Sequence, residues 1–147
     1  MINKSAKVNI KTNSNGNLLW QKTFGGSGYD SGNTVHQTDD DGFIIAGGTD
    51  SFGAGLSDVY LIKTDPFGNM QWQKIFGGSD DDTGISVQQT SERGYIIAGW
   101  TLSFGAGDFD VYFIKTDSEG NKEWEKTFGE SNWDVGASVH RLPTMDT

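Results

Sequence analysis

The chain has 147 residues, the length of one domain, and a formal net charge of −9. That charge excludes a nucleic-acid partner, which needs a basic face, and equally an anionic membrane surface. The absence of cysteine excludes disulfides, thiol catalysis and thiolate metal sites, and leaves the redox compartment open.

Taken in chain order, the opening residues Met1-Ile2-Asn3-Lys4-Ser5 lack the apolar run of a secretion signal, and no later stretch approaches a membrane span. Residues 7–29 hold two strand-like runs, Lys7-Val8-Asn9-Ile10 and one around Trp20, parted by a turn at Gly16. Residues 30–81 and 82–133 each hold four such runs, which in the later copy are Gly84–Thr90, Tyr95–Thr101, Val111–Thr116 and Asn121–Phe128. Between them lie the turns Ser91-Glu92-Arg93-Gly94 and Asp117-Ser118-Glu119-Gly120, and the Gly-rich link Ser103–Gly107. The turn glycine is expected to take a positive φ, which only glycine adopts without steric cost. Residues 134–147 read as the first strand of another, incomplete copy. From Val139 onward they leave the Val-Gln-Gln-Thr pattern of Val87–Thr90, as the end of a longer ancestral array would.

The copies stay in register throughout. Trp20, Trp72 and Trp124 stand 52 residues apart, and the same offset links Lys11, Lys63 and Lys115, then Asp30, Asp82 and Asp134. A fixed period of this length marks a repeat architecture. Val59-Tyr60-Leu61-Ile62 and Val111-Tyr112-Phe113-Ile114 are continuous apolar runs, so both faces of that strand should be buried. Radial stacking of four-stranded sheets supplies a neighbour on each side. The Trp-bearing run turns polar late (Lys122, Glu123, Glu125, Lys126), as an outermost strand would. The predicted fold is all-β, a β-propeller-like array of four-stranded antiparallel blades, about 2.8 blades in one chain. In the first copy Lys7 and Asn9 replace Val59 and Leu61, so one face of that strand is expected to be polar, either capping an open array or meeting an unusual neighbour at a ring junction.

The runs Asp58-Val59-Tyr60-Leu61-Ile62-Lys63-Thr64-Asp65, Gly68-Asn69, Trp72, Phe76-Gly77-Gly78 and Gly94-Tyr95-Ile96-Ile97-Ala98-Gly99 resemble the bacterial and archaeal β-propeller repeats often called SBBP-type. The resemblance extends from about Lys7 to Val139. It implies a large secreted or cell-surface protein with enough copies to close a ring, and it carries no shared catalytic residues. Propellers close with roughly four to eight blades, so two chains, with about six blades between them, are expected to form a closed dimeric ring.

Candidate chemistry is sparse. Asp39-Asp40-Asp41-Gly42 and Asp80-Asp81-Asp82 have the oxygens that calcium wants, but neither has EF-hand spacing, and both read better as solvated turns. His36 and His140 occupy equivalent positions with Gln88 between them, and read as polar strand positions before a metal pair. Trp20, Trp72, Trp124, Asp30, Asp82, Asp134, Lys11, Lys63 and Lys115 read as structural. The aspartates are expected to bond backbone donors, and the lysines to pack their stems and pair with carboxylates. The junction loops, joined by the second-to-third-strand links, hold Tyr29, Asp80, Asp81, Asn132 and Trp133, beside Phe52 and Phe104. The two phenylalanines read as plugs between blades. Rings beside carboxylates and amides suit sugars, whose C–H faces pack on aromatics while hydroxyls bond polar groups. Two functions are therefore expected. The first is a non-catalytic scaffold or interaction module with no cofactor, and the second a lectin-like binder with a glycan ligand in the inter-blade loops. An enzyme ranks third, because no catalytic motif is visible.

Overall fold

The computed structural model describes residues 7–134 and 138–140. Ten strands form, in order β1 (Lys7–Thr12), β2 (Leu18–Phe24), β3 (Asp30–Gln37), β4 (Phe43–Thr49), β5 (Asp58–Thr64), β6 (Met70–Phe76), β7 (Asp82–Gln89), β8 (Tyr95–Thr101), β9 (Asp110–Thr116) and β10 (Lys122–Phe128). No helix occurs among the described residues. β1 and β2 pair alone, β3 to β6 make one four-stranded antiparallel sheet, and β7 to β10 make another, each strand beside its sequence neighbour. We call these the first, second and third sheets.

Two kinds of short turn recur in each full sheet, and the β5–β6 and β9–β10 kind follows from a short polar side chain. In the β5–β6 turn Asp65 Oδ1 accepts from the N–H groups of Phe67 (2.8 Å) and Asn69 (2.9 Å), and Gly68 takes φ +77°. Asp117 and Gly120 repeat this geometry between β9 and β10. The other hairpin departs from expectation. Its left-handed residues are Asp41 (φ 62°) and Arg93 (φ 65°), not the glycines that follow. Gly42 and Gly94 are small because a Cβ there would strike the carbonyls of Thr64 and Thr116.

Sheets stack face to face, with β7 lying across β3, β4 and β5. Ile44, Ala46, Val59 and Leu61 of the second sheet meet Val87, Tyr95, Ile97, Tyr112 and Ile114 of the third. Between the first and second sheets, Phe24 packs with Ile45, Tyr60 and Ile62. The continuous apolar run of β5 is thus buried on both faces, because it has a sheet on each side.

The first strand carries a correction. Asn9 faces inward, beside Phe24, Ile45 and Tyr60, while Ile10 is 58% exposed on the open side. The polar face is therefore turned toward the second sheet and does not cap the stack. The Lys7 side chain lies outside the described residues. At the other end Ile96, Val111 and Phe113 of the third sheet are partly exposed, whereas their counterparts Ile44, Val59 and Leu61 are buried. The residue 138–140 backbone runs beside β7, Val139 N–H donating to Ser86 Oγ at 3.1 Å.

Candidate functional site

The recurring aspartates serve the junctions. Asp30 accepts from Thr49 Oγ1 (2.5 Å), Gly26 N–H (2.9 Å) and Ser51 Oγ (2.8 Å). Asp82 repeats the last two bonds with Gly78 N–H (2.9 Å) and Ser103 Oγ (2.6 Å), and Asp134 accepts from Glu130 N–H (2.9 Å). Sequence reasoning missed a second recurring pair, Asp58 and Asp110, both buried at the start of a third strand. Their signal was present, since they too stand one repeat apart. Burial raises the Asp58 carboxyl above its ordinary value, and neighbouring Asp82 adds to the rise.

The recurring tryptophans act as clamps for the next sheet. Gly68 sits against the Trp20 ring and Gly120 against the Trp72 ring, and Trp20 Nε1 donates to Pro66 O at 3.3 Å. Lys22 and Lys74 reinforce the same contacts by donating to Asn69 (3.1 Å) and Asn121 (3.0 Å). Trp124 faces no further sheet and is 38% exposed, with Lys126 Nζ over its ring. Phe52 and Phe104 pack against Tyr60 and Tyr112, at 5.8 and 5.7 Å between ring centres.

The five loop candidates do not converge. Tyr29, Asp81 and Trp133 mark three successive junctions, where Tyr29 O and Asp81 O accept from Asp50 and Leu102 (both 2.8 Å). Tyr29 is 53% and Trp133 71% exposed. Asp80 N–H donates to Ser103 Oγ at 3.1 Å, and Asn132 is exposed. Only Trp133 joins a larger group, an aromatic corner in which Phe109 lies 4.7 Å from Trp133 and 4.8 Å from Trp100. The equivalent positions of the second sheet are Ser57, Asp81 and Gly48. Gly48 is small for a reason: a Cβ there would come within 3.0 Å of Thr83 Oγ1 in the third sheet.

His36 and His140 take different partners. Gln88 Nε2 lies 3.5 Å from His36 Nε2, and Ser138 Oγ 2.8 Å from His140 Nε2. No group of three His, Cys, Asp or Glu placed to hold a metal occurs among the described residues.

A concavity lies at the hairpin edge, away from the junction loops. It is a cleft of about 410 Å³ between the second and third sheets, walled by Asp39, Asp40, Lys63, Gln71 and Trp72 on one side, and by Gln89, Arg93, Tyr95 and Ser118 on the other. Lys63 anchors it. Its ammonium donates to both Asp40 oxygens (3.0 and 2.9 Å), Thr64 O (2.8 Å) and Gln71 Oε1 (3.2 Å). Partial burial opposes the Asp40 charge. Hydrogen bonds from Thr38, Lys63 and Gly42 outweigh it and hold the carboxyl at about 2. Burial, with Asp40 and Asp39 nearby, pushes the Tyr95 phenol up to about 12, so it remains a donor. Trp72 meets Tyr95 edge-on at 5.8 Å. Asp39 N–H donates to Gln89 Oε1 at 2.9 Å, which ties the two walls together.

The corresponding cleft between the first and second sheets is smaller, about 160 Å³, and lined by Lys11, Trp20, Val35, Gln37, Phe43 and Ile45. Phe43 stands where Tyr95 does, and Lys11 Nζ sits over its ring at 5.3 Å. The polar character of the larger cleft is thus particular to one junction.

No protein-family model matches the chain, and no curated protein matches it.

Proposed function

We propose that the chain is a run of β-propeller blades of the SBBP-type kind, acting as a non-catalytic scaffold or interaction module. One observation supports this reading above others: among the described residues, both ends of the stack present apolar side chains that no further sheet covers. Ile10 stands on one, and the partly exposed Ile96, Val111 and Phe113 on the other. Each is the counterpart of a surface that an adjoining sheet covers elsewhere in the chain. Open apolar faces favour a partner, and two different complementary faces make a head-to-tail contact that a ring can close. The partner is a second copy, with about six blades in the closed dimer. Light scattering at micromolar concentration tests this. A dimer that Phe113→Glu converts to monomer supports it, and a monodisperse wild-type monomer overturns it.

A second reading, a carbohydrate-binding module, is favoured by the polar cleft between the second and third sheets. The dispersed loop residues Tyr29, Asp80, Asp81, Asn132 and Trp133 support it less.

A further inference from the structure

We infer that the cleft between the second and third sheets is a site for a neutral, polyhydroxylated ligand, a hexose unit of a glycan, held chiefly by Arg93, Gln71, Gln89 and the Trp72–Tyr95 pair. This rests on the carbohydrate-binding reading and goes beyond it by fixing the place, the class of sugar and the residues.

Four features carry the assignment. Size comes first, since about 410 Å³ falls in the range of small-molecule sites. The second is charge. Asp39, Asp40 and Lys63 share one wall and Arg93 stands on the other, so the formal charges of the lining cancel. Such a wall has no net attraction for an anion or a cation, whereas hydroxyl groups, which donate and accept, satisfy both signs. Third, the polar groups are fixed on one side and free on the other. Lys63 is saturated by Asp40, Thr64 and Gln71, and Gln89 is held through its Oε1 by Asp39 N–H. Gln71 Nε2, Gln89 Nε2 and the Arg93 guanidinium have no partner among the described residues. Held side chains with unspent donors are what a ligand's hydroxyls require.

The fourth feature is Arg93 itself. It sits at φ 65° in the left-handed region, where a long side chain costs roughly 1 kcal/mol relative to the ordinary backbone and glycine little. Its counterpart Asp41 is a residue type more at home there. A strained arginine without a carboxylate partner, on the rim of a cavity, points to a ligand in place of a structural ion pair. The aromatic wall completes the fit. The part of the Trp72 ring not covered by Gly120 lines the cleft with Tyr95, and C–H faces of a pyranose pack on such surfaces.

The intact protein is first screened on a glycan array. Glucose, galactose and mannose, each beside its uronic acid, are then titrated while tryptophan fluorescence is read. Neutral sugars are expected to bind more tightly than their acids. Arg93→Gly, which relieves backbone strain and so should raise Tm, is expected to weaken binding by about tenfold. Gln89→Ala should weaken it too, while Trp133→Ala and Tyr29→Ala leave it unchanged. Preference for the uronic acids overturns the neutral-ligand assignment. Binding lost in Trp133→Ala or Tyr29→Ala but intact in Arg93→Gly overturns the cleft and keeps the carbohydrate reading. Absence of any sugar binding overturns both.

Discussion

Lys63 and Lys115 stand one repeat apart, in the same strand position and with the same neighbours in sequence. Yet the Lys63 side chain is 4% exposed and the Lys115 side chain 21%. Lys63 holds Asp40, which holds Thr38 at 2.5 Å, in a closed set of bonds under the third sheet. Lys115 turns to Glu123 and, at 3.5 Å, to Glu92, with no further sheet over it among the described residues. Glu92 is the counterpart of Asp40 and does not reach Thr90, whose buried hydroxyl has no partner among the described residues. The difference teaches that burial in this fold belongs to the junction between sheets and not to the repeat. A recurring residue becomes structural only where the next sheet arrives to cover it.

That comparison can be broken most forcefully at Gly48 and Trp100, which occupy the same repeat position. Gly48→Trp places a ring where Thr83 already lies, and is expected to cost about 3 kcal/mol or more, read as a lower urea midpoint. The reverse change, Trp100→Gly, removes a partly exposed ring that packs edge-on against Phe109 and should cost about 1–2 kcal/mol. Equal losses for the two variants would show that the third sheet is covered as the second is.

Lys63→Ala leaves Thr64 O and Asp40 short of a buried donor and should cost about 2–3 kcal/mol in denaturant unfolding. Lys115→Ala should cost less than about 1 kcal/mol, as exposed ion pairs do. The same contrast has a pH signature. Asp40 is held at about 2 against an ordinary value of 3.8, so its contribution is complete above pH ~4 and fades as pH falls toward 2. Asp40→Asn should remove that part of the acid loss, at a cost near pH 7 of about 1 kcal/mol, modest because the carboxylate is itself more than half exposed. Smallest is Arg93→Gly, expected to stabilise by about 0.5–1 kcal/mol through relief of a left-handed backbone, read as a rise in Tm.

Much of the architecture was legible in the residues. A 52-residue offset without insertions, Asx turns at Asp65 and Asp117, and apolar runs at Val59 and Val111 determine antiparallel four-stranded sheets, because hydrogen bonding along a hairpin and alternation of side chains are local matters. Facing was not legible. Asn9 and Ile10 are adjacent in one strand, and only the arrival of the second sheet on one side decided that the polar residue is covered and the isoleucine open. The cleft was hidden for the same reason. Its walls come from Asp39–Asp40, Lys63–Trp72, Gln89–Tyr95 and Ser118, four stretches that no spacing rule connects, and Arg93 reads in sequence as an ordinary turn residue. The sequence by itself determined the repeat, the strand order and where the turns fall. Tertiary structure alone decided which lysine is buried, which sheet faces are left open and where polar groups meet, since each depends on what packs against a surface that the local chain cannot see.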